Sequence, residues 1–119
     1  VGFEITLGPD NSLYANIGFG SAMTDAHFPT PIIGTWMHLA IVYEPGIRLE
    51  SYFNGQTFDK QTVLSTDGGA LPQAGVTPDD HEIRFGADDS DSTWRGGIDD
   101  VRVFTRALTP AEIQILAND

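Results

Sequence analysis

Two short alternating runs, residues 47–53 and 56–64, meet at Asn54-Gly55, and this dipeptide constrains the fold more than any other in the chain. Both central positions of a type I′ turn need positive φ, which Asn and Gly accept at the least cost. The run 36–43, turned by Glu44-Pro45-Gly46, precedes them, so the segment reads as a three-stranded meander. A second hairpin is expected upstream. Phe3, Ile5 and Leu7 alternate with Glu4 and Thr6, Gly8-Pro9-Asp10-Asn11 breaks the run, and Leu13, Ala15 and Ile17 alternate again. Residues 23–31 hold two prolines and read as a connection. Further on, residues 65–80 and 86–97 read as loops. Short strands are expected over 81–85 and 98–104, the latter with Val101 and Val103 turned inward.

Only the C-terminus carries a helix signal. Thr109 is placed to cap, Pro110 to open the first turn and Glu112 to close a capping box, with Leu108 and Ile113 spaced as a hydrophobic staple. A helix of about two turns does not hold alone in water. It must dock, and Phe104 with Leu108 is the nearest apolar seat. Strands in series with one terminal helix give an all-β sandwich.

Composition narrows the function. The 119 residues hold 6 Lys or Arg against 17 Asp or Glu, a net charge of −11, which opposes non-specific grip on nucleic acid or anionic membrane. Cysteine is absent, so disulfides and thiolate metal sites are ruled out. The sequence contains neither an 18-residue apolar run nor a basic-then-apolar leader, and membrane insertion is not expected.

Three blocks resemble the laminin-G-like, concanavalin A-like jelly-roll domains. Trp36-Met37-His38-Leu39-Ala40 is similar to the family's W-x-H-V-A strand, and Ser51-Tyr52-Phe53-Asn54-Gly55 to its L-Y-V-N-G turn. The third and most specific block begins at Ile83-Arg84-Phe85-Gly86. It continues through Gly97-Ile98-Asp99-Asp100-Val101-Arg102-Val103-Phe104 to Arg106-Ala107-Leu108 and the helix. The resemblance implies an antiparallel jelly-roll β-sandwich with a short C-terminal helix, spanning residues 1–119 as a partial domain. It covers the family's C-terminal two thirds, so a missing N-terminal segment is an expected partner.

Candidate site residues follow from charge, exposure and the resemblance. Asp99 opens the last expected strand on the inward face, where a carboxylate needs hydrogen bonds or a metal. Some relatives hold a structural calcium with an Asp at the matching position; the alternative is an Asp that bonds nearby backbone amides and fixes the Gly96-Gly97 turn. Asp88, Asp89 and Asp91 crowd into four positions, where calcium would relieve their repulsion, although the Gly and closing Glu of an EF-hand loop are absent. Trp94 follows that acidic loop and, with Asp89, Asp91 and Tyr52, makes a candidate sugar contact. An aromatic ring covers the apolar face of a sugar while polar groups take its hydroxyls. The alternative for Trp94 is to cover the end of the sandwich. Trp36 is expected in the core, and His38 as a hydrogen-bonding structural histidine.

Enzyme signatures are missing: the sequence has no Gly-x-Ser-x-Gly elbow and no compact Glu-x-Asp-x-Glu strand motif. The reading is a non-catalytic carbohydrate-binding or adhesion module of a secreted or cell-surface protein, with calcium as a structural ion and a glycan or neighbouring protein domain as partner. The alternatives are a structural spacer and a fragment of a glycoside hydrolase, which would show two facing carboxylates within about 10 Å.

Overall fold

The computed structural model describes residues 2–19, 21–73, 86 and 94–119. Two antiparallel sheets and one helix account for its regular structure. Sheet A holds β1 (Phe3–Leu7), β2 (Leu13–Phe19) and β3 (Ala22–His27) in that order; sheet B holds β4 (Leu39–Glu44), β5 (Arg48–Phe53) and β6 (Gln56–Gln61). Helix α1 (Pro110–Ala117) follows. The result is an all-β domain, consistent with a jelly-roll-like sandwich, carrying the expected terminal helix.

Both expected hairpins form. Asn54 and Gly55 have φ of 50° and 83°, the left-handed pair that a type I′ turn requires. Leu7 pairs with Leu13 across the first turn, where Asp10 Oδ1 accepts from the Ser12 amide at 3.1 Å. β3 corrects the expected connection at residues 23–31. Both prolines fall beyond its end, so they do not interrupt the ladder it makes with β2.

Side-chain parity sorts the layers. Leu13, Ala15 and Ile17 of β2 turn inward at 1%, 0% and 1% exposure. They meet Leu39, Ile41, Tyr43 and Leu49 of sheet B, with Phe28 and Ala26 completing the two clusters. The other face of sheet B, through Ala40, Val42 and Tyr52, packs under Leu108, Ile113 and Leu116. The layers are therefore sheet A, sheet B and α1. The capping box forms as the sequence requires: the Glu112 amide donates to Thr109 Oγ1 at 3.3 Å and the Thr109 amide to Glu112 Oε2 at 2.8 Å. Phe104 contributes less to the helix seat than expected and is 46% exposed.

Side-chain hydrogen bonds tie β3 to β6 and to the segment that follows it. The Thr24 hydroxyl donates to the Val63 carbonyl at 3.0 Å, the Asp25 amide to Ser65 Oγ at 2.8 Å and the His27 amide to Asp59 Oδ2 at 2.9 Å. These bonds satisfy edge groups that would otherwise invite another strand.

Two further expectations fail. Residues 98–104 form no ladder with the described residues, and Val101 and Val103 are 51% and 66% exposed. Alternation along the sequence shows which residues share a face but does not supply a neighbouring strand to pair with. Trp36 is 74% exposed rather than core. It precedes β4 and lies over Gly97, where an added Cβ would meet its ring at 2.8 Å.

Candidate functional site

With α1 laid over sheet B, the outer face of sheet A remains open among the described residues, as does the β1 edge of its inner face, where Phe3, Ile5 and Leu7 are exposed. Period-2 alternation turns Tyr14, Asn16 and Gly18 of β2 onto it, opposite the buried Leu13, Ala15 and Ile17. Register then sets their neighbours. Asn16 lies between Glu4 of β1 and Asp25 of β3, and Tyr14 between Thr6 and His27. The face therefore carries two cross-strand rows: carboxylate, amide, carboxylate; and hydroxyl, phenol, imidazole.

The first row is internally ordered. Asn16 Nδ2 donates to Glu4 Oε1 at 2.6 Å, which fixes the Glu4 rotamer and leaves its other oxygen as an acceptor. Asp25 Oδ1 is enclosed and has no partner among the described residues. In the second row the Tyr14 and His27 rings have centroids 6.1 Å apart, tilted by 44°. On the other side of the Glu4–Asn16 row from these rings, Gly2 and Gly18, which carry no side chains, join Phe3, Glu4 and Asn16 around a shallow hollow of about 230 Å³. A half-buried phenol beside an amide and carboxylates can cover an apolar surface and hydrogen-bond the hydroxyls around it.

Of the site residues expected from sequence, Tyr52, Trp94 and Asp99 are among the described residues, and none of them lies on this face. Tyr52 is 0% exposed beneath α1, so no ring face is open to a ligand; burial pushes its phenol pKa up, and the nearby Glu50 adds to the rise. Trp94 packs against the cluster of Leu13, Ala15 and Phe28, with its Nε1 enclosed and without a partner among the described residues. Its ring covers one end of the sandwich, and its backbone amide donates to Gly86 O at 2.7 Å. Asp99 is exposed, not inward. Its Oδ1 accepts from the amide of Asp100 at 2.8 Å, and Asp100 takes a φ of 53°. Both Asp100 oxygens are taken by Arg102, at 2.8 and 2.9 Å. Among the described residues no three acidic or histidine side chains converge on a metal position, so the side chains around Asp99 do not by themselves compose a calcium site. Asp88, Asp89 and Asp91 lie outside the described residues.

His38 makes its hydrogen bonds to Asn54 through its backbone. Its backbone amide donates to Asn54 Oδ1 and its carbonyl accepts from the Asn54 amide, both at 2.9 Å, while Nδ1 is buried without a partner among the described residues. Burial holds its pKa below the usual imidazole value, with Asp100 opposing the shift and Arg102 adding to it.

Glu4, Asn16, Asp25 and His27 were not among the expected ligand residues. Two signals mark their face: the polar parity of β1 and β2, and a chain without Lys or Arg before Arg48.

Residues 2–114 match the family model described as the Concanavalin A-like lectin/glucanases superfamily. Among solved structures the chain is similar to an S-layer domain-containing protein (residues 221–444) from Clostridium thermocellum, at 21% identity and a TM-score of 0.48. That match covers 98% of this chain and 61% of the other. No curated protein matches the chain.

Proposed function

Because the chain belongs to the Concanavalin A-like lectin/glucanases superfamily, we propose that it is a non-catalytic glycan-binding module of a secreted or cell-surface protein. The observation that carries the reading is the outer face of sheet A, where Tyr14 stands beside the ordered row Glu4, Asn16 and Asp25. The ring covers one apolar face of a sugar; the amide and carboxylates take its hydroxyls. Fold membership alone does not choose among the functions this architecture hosts, so the site must carry the argument.

One feature favours a second reading, the hydrolase fragment. Glu4 and Asp25 lie on strands separated by β2, and two strand spacings put their backbones roughly 10 Å apart. Glycosidases place two carboxylates on either side of the scissile bond. Here both rise from one face of one sheet and Glu4 is bonded to Asn16, an arrangement suited to holding a sugar rather than enclosing its linkage.

Isothermal titration against neutral and charged oligosaccharides tests the proposal. Binding should occur without release of reducing ends, and Tyr14→Ala should abolish it while leaving the melting temperature within a few degrees of the parent. Turnover that is lost in Glu4→Gln would establish the hydrolase reading instead. Binding unaffected by Tyr14→Ala would remove the face from consideration.

A further inference from the structure

The charge on sheet A narrows the ligand further. Its three strands contain Glu4 and Asp25 but no Lys or Arg, and the residues between them add Asp10. Any group lying across the face therefore meets the exposed Glu4 carboxylate and, at the opposite end of the row, the half-buried Asp25, whose Oδ1 is enclosed, without a Lys or Arg on these strands to offset them. An ionised carboxylate only accepts hydrogen bonds, so it selects donors, and a cationic donor makes the stronger bond. The Asn16 amide already occupies one Glu4 oxygen and holds the side chain in place, so the remaining oxygen is oriented before a ligand arrives. Tyr14, Thr6, Asn16 and His27 offer hydroxyl, amide and imidazole donors to a ligand sulfate or carboxylate, but none carries the fixed positive charge of Lys or Arg that would offset Glu4 and Asp25.

We infer that this face selects glycans bearing free primary amines, that is de-N-acetylated hexosamine units, over neutral and anionic glycans. The inference rests on the glycan reading above and adds the ligand's charge class. Glu4 contacts the ammonium group, Asn16 positions Glu4, Tyr14 packs on the sugar ring, and Asp25 adds negative potential from the opposite end of the row. Glu4 is exposed, so the charge contribution is modest and weakens with salt.

The test uses the full 119-residue chain in titrations at low ionic strength. The probes are a β-1,4-linked glucosamine oligomer, its N-acetylated counterpart of equal length, a neutral glucan oligomer and a sulfated polysaccharide. The amine-bearing oligomer should bind about threefold to tenfold more tightly than its N-acetylated counterpart, and 0.5 M salt should erase the difference. Glu4→Gln should erase it too, so that whatever binding remains is equal for the two probes; Tyr14→Ala should abolish both. Because Glu4 is exposed, Glu4→Gln leaves the fold intact, which circular dichroism verifies. Equal or tighter binding of the N-acetylated, neutral or sulfated probe would overturn the charge inference and leave the glycan reading standing. Failure of all four probes to bind would overturn both.

Discussion

Helix α1 rests on the Asn54-Gly55 turn, and substitution of Gly55 measures that contact. Gly55 has a φ of 83°, and a Cβ built there would lie 3.1 Å from Ala117 Cβ and 3.3 Å from Gln114 Cα. Gly55→Ala therefore carries two costs. The left-handed backbone disfavours an L side chain by about 1–2 kcal/mol. Crowding the helix adds about 1–3 kcal/mol, because backbone at Gln114 cannot turn aside as a flexible side chain would. Gly68 supplies the control: its φ is 74°, and nothing lies within 4 Å of its Cβ position. Gly68→Ala thus carries the backbone cost alone. With an unfolding entropy that scales with length, 1 kcal/mol corresponds to roughly 4 °C for a chain of this size. Thermal melts should show a fall of about 4–8 °C for Gly68→Ala and about 8–20 °C for Gly55→Ala. Ala117→Gly removes one of the crowding atoms, so a double-mutant cycle with Gly55→Ala should show favourable coupling despite the helix-propensity cost of the glycine. Equal shifts at Gly55 and Gly68, together with zero coupling to Ala117, would refute the placement of α1 on the turn.

Two further outcomes follow from the structure, and a third from the sequence alone. Ile113 is 2% exposed between Leu108, Val42 and Tyr52, so Ile113→Ala should lower stability by about 2–5 kcal/mol in urea denaturation and expose the α1 amides to hydrogen exchange. Glu112 accepts from the Arg106 guanidinium and the Thr109 amide, which lowers its pKa from 4.5 to about 2. A carboxylate depressed in the folded state stabilises above its unfolded pKa and loses that contribution as pH falls through the folded one. Thermal stability should therefore decline between pH 4.5 and about 2, and Glu112→Gln should flatten this part of the profile. Calcium bound by the acidic group at Asp88, Asp89 and Asp91 should raise the melting temperature by about 4–6 °C at ten times its Kd. Asp89→Asn should abolish the rise, and the absence of any shift at millimolar calcium in the parent would remove the ion.

Local chemistry made much of the fold legible. Asn54-Gly55 specified a turn with both residues at positive φ, and Thr109-Pro110-Ala111-Glu112 specified a helix start that forms with both capping bonds. Each of these signals depends on residues within a few positions of one another, so the sequence contains the whole device. The buried rows of β2 were legible for the same reason, since alternation is local. The inward placement of Val101 and Val103 required a partner strand supplied from elsewhere in the chain, and no local pattern reports one. Trp36 illustrates the limit in another way. A tryptophan at the head of an apolar run resembles a core residue, yet the strand begins three residues later and the ring lies over Gly97.

The candidate site was hidden for a related reason. Its rows combine residues 4, 16 and 25, and residues 6, 14 and 27, so none of them forms a contiguous motif. The parity of β1 and β2 was visible, but reading residues 23–31 as a connection removed β3 and, with it, Asp25 and His27 from the face. Met23, Asp25 and His27 alternate with Thr24 and Ala26, which are buried, so the strand pattern is present but weak: its inward residues are small and one is polar. Thr24 tolerates burial because its hydroxyl reaches the Val63 carbonyl, a partner 39 positions away that the sequence does not advertise. The bond that makes Thr24 acceptable in the core thus also allows β3 to form, and β3 is what brings a second carboxylate beside Asn16 and an imidazole beside Tyr14.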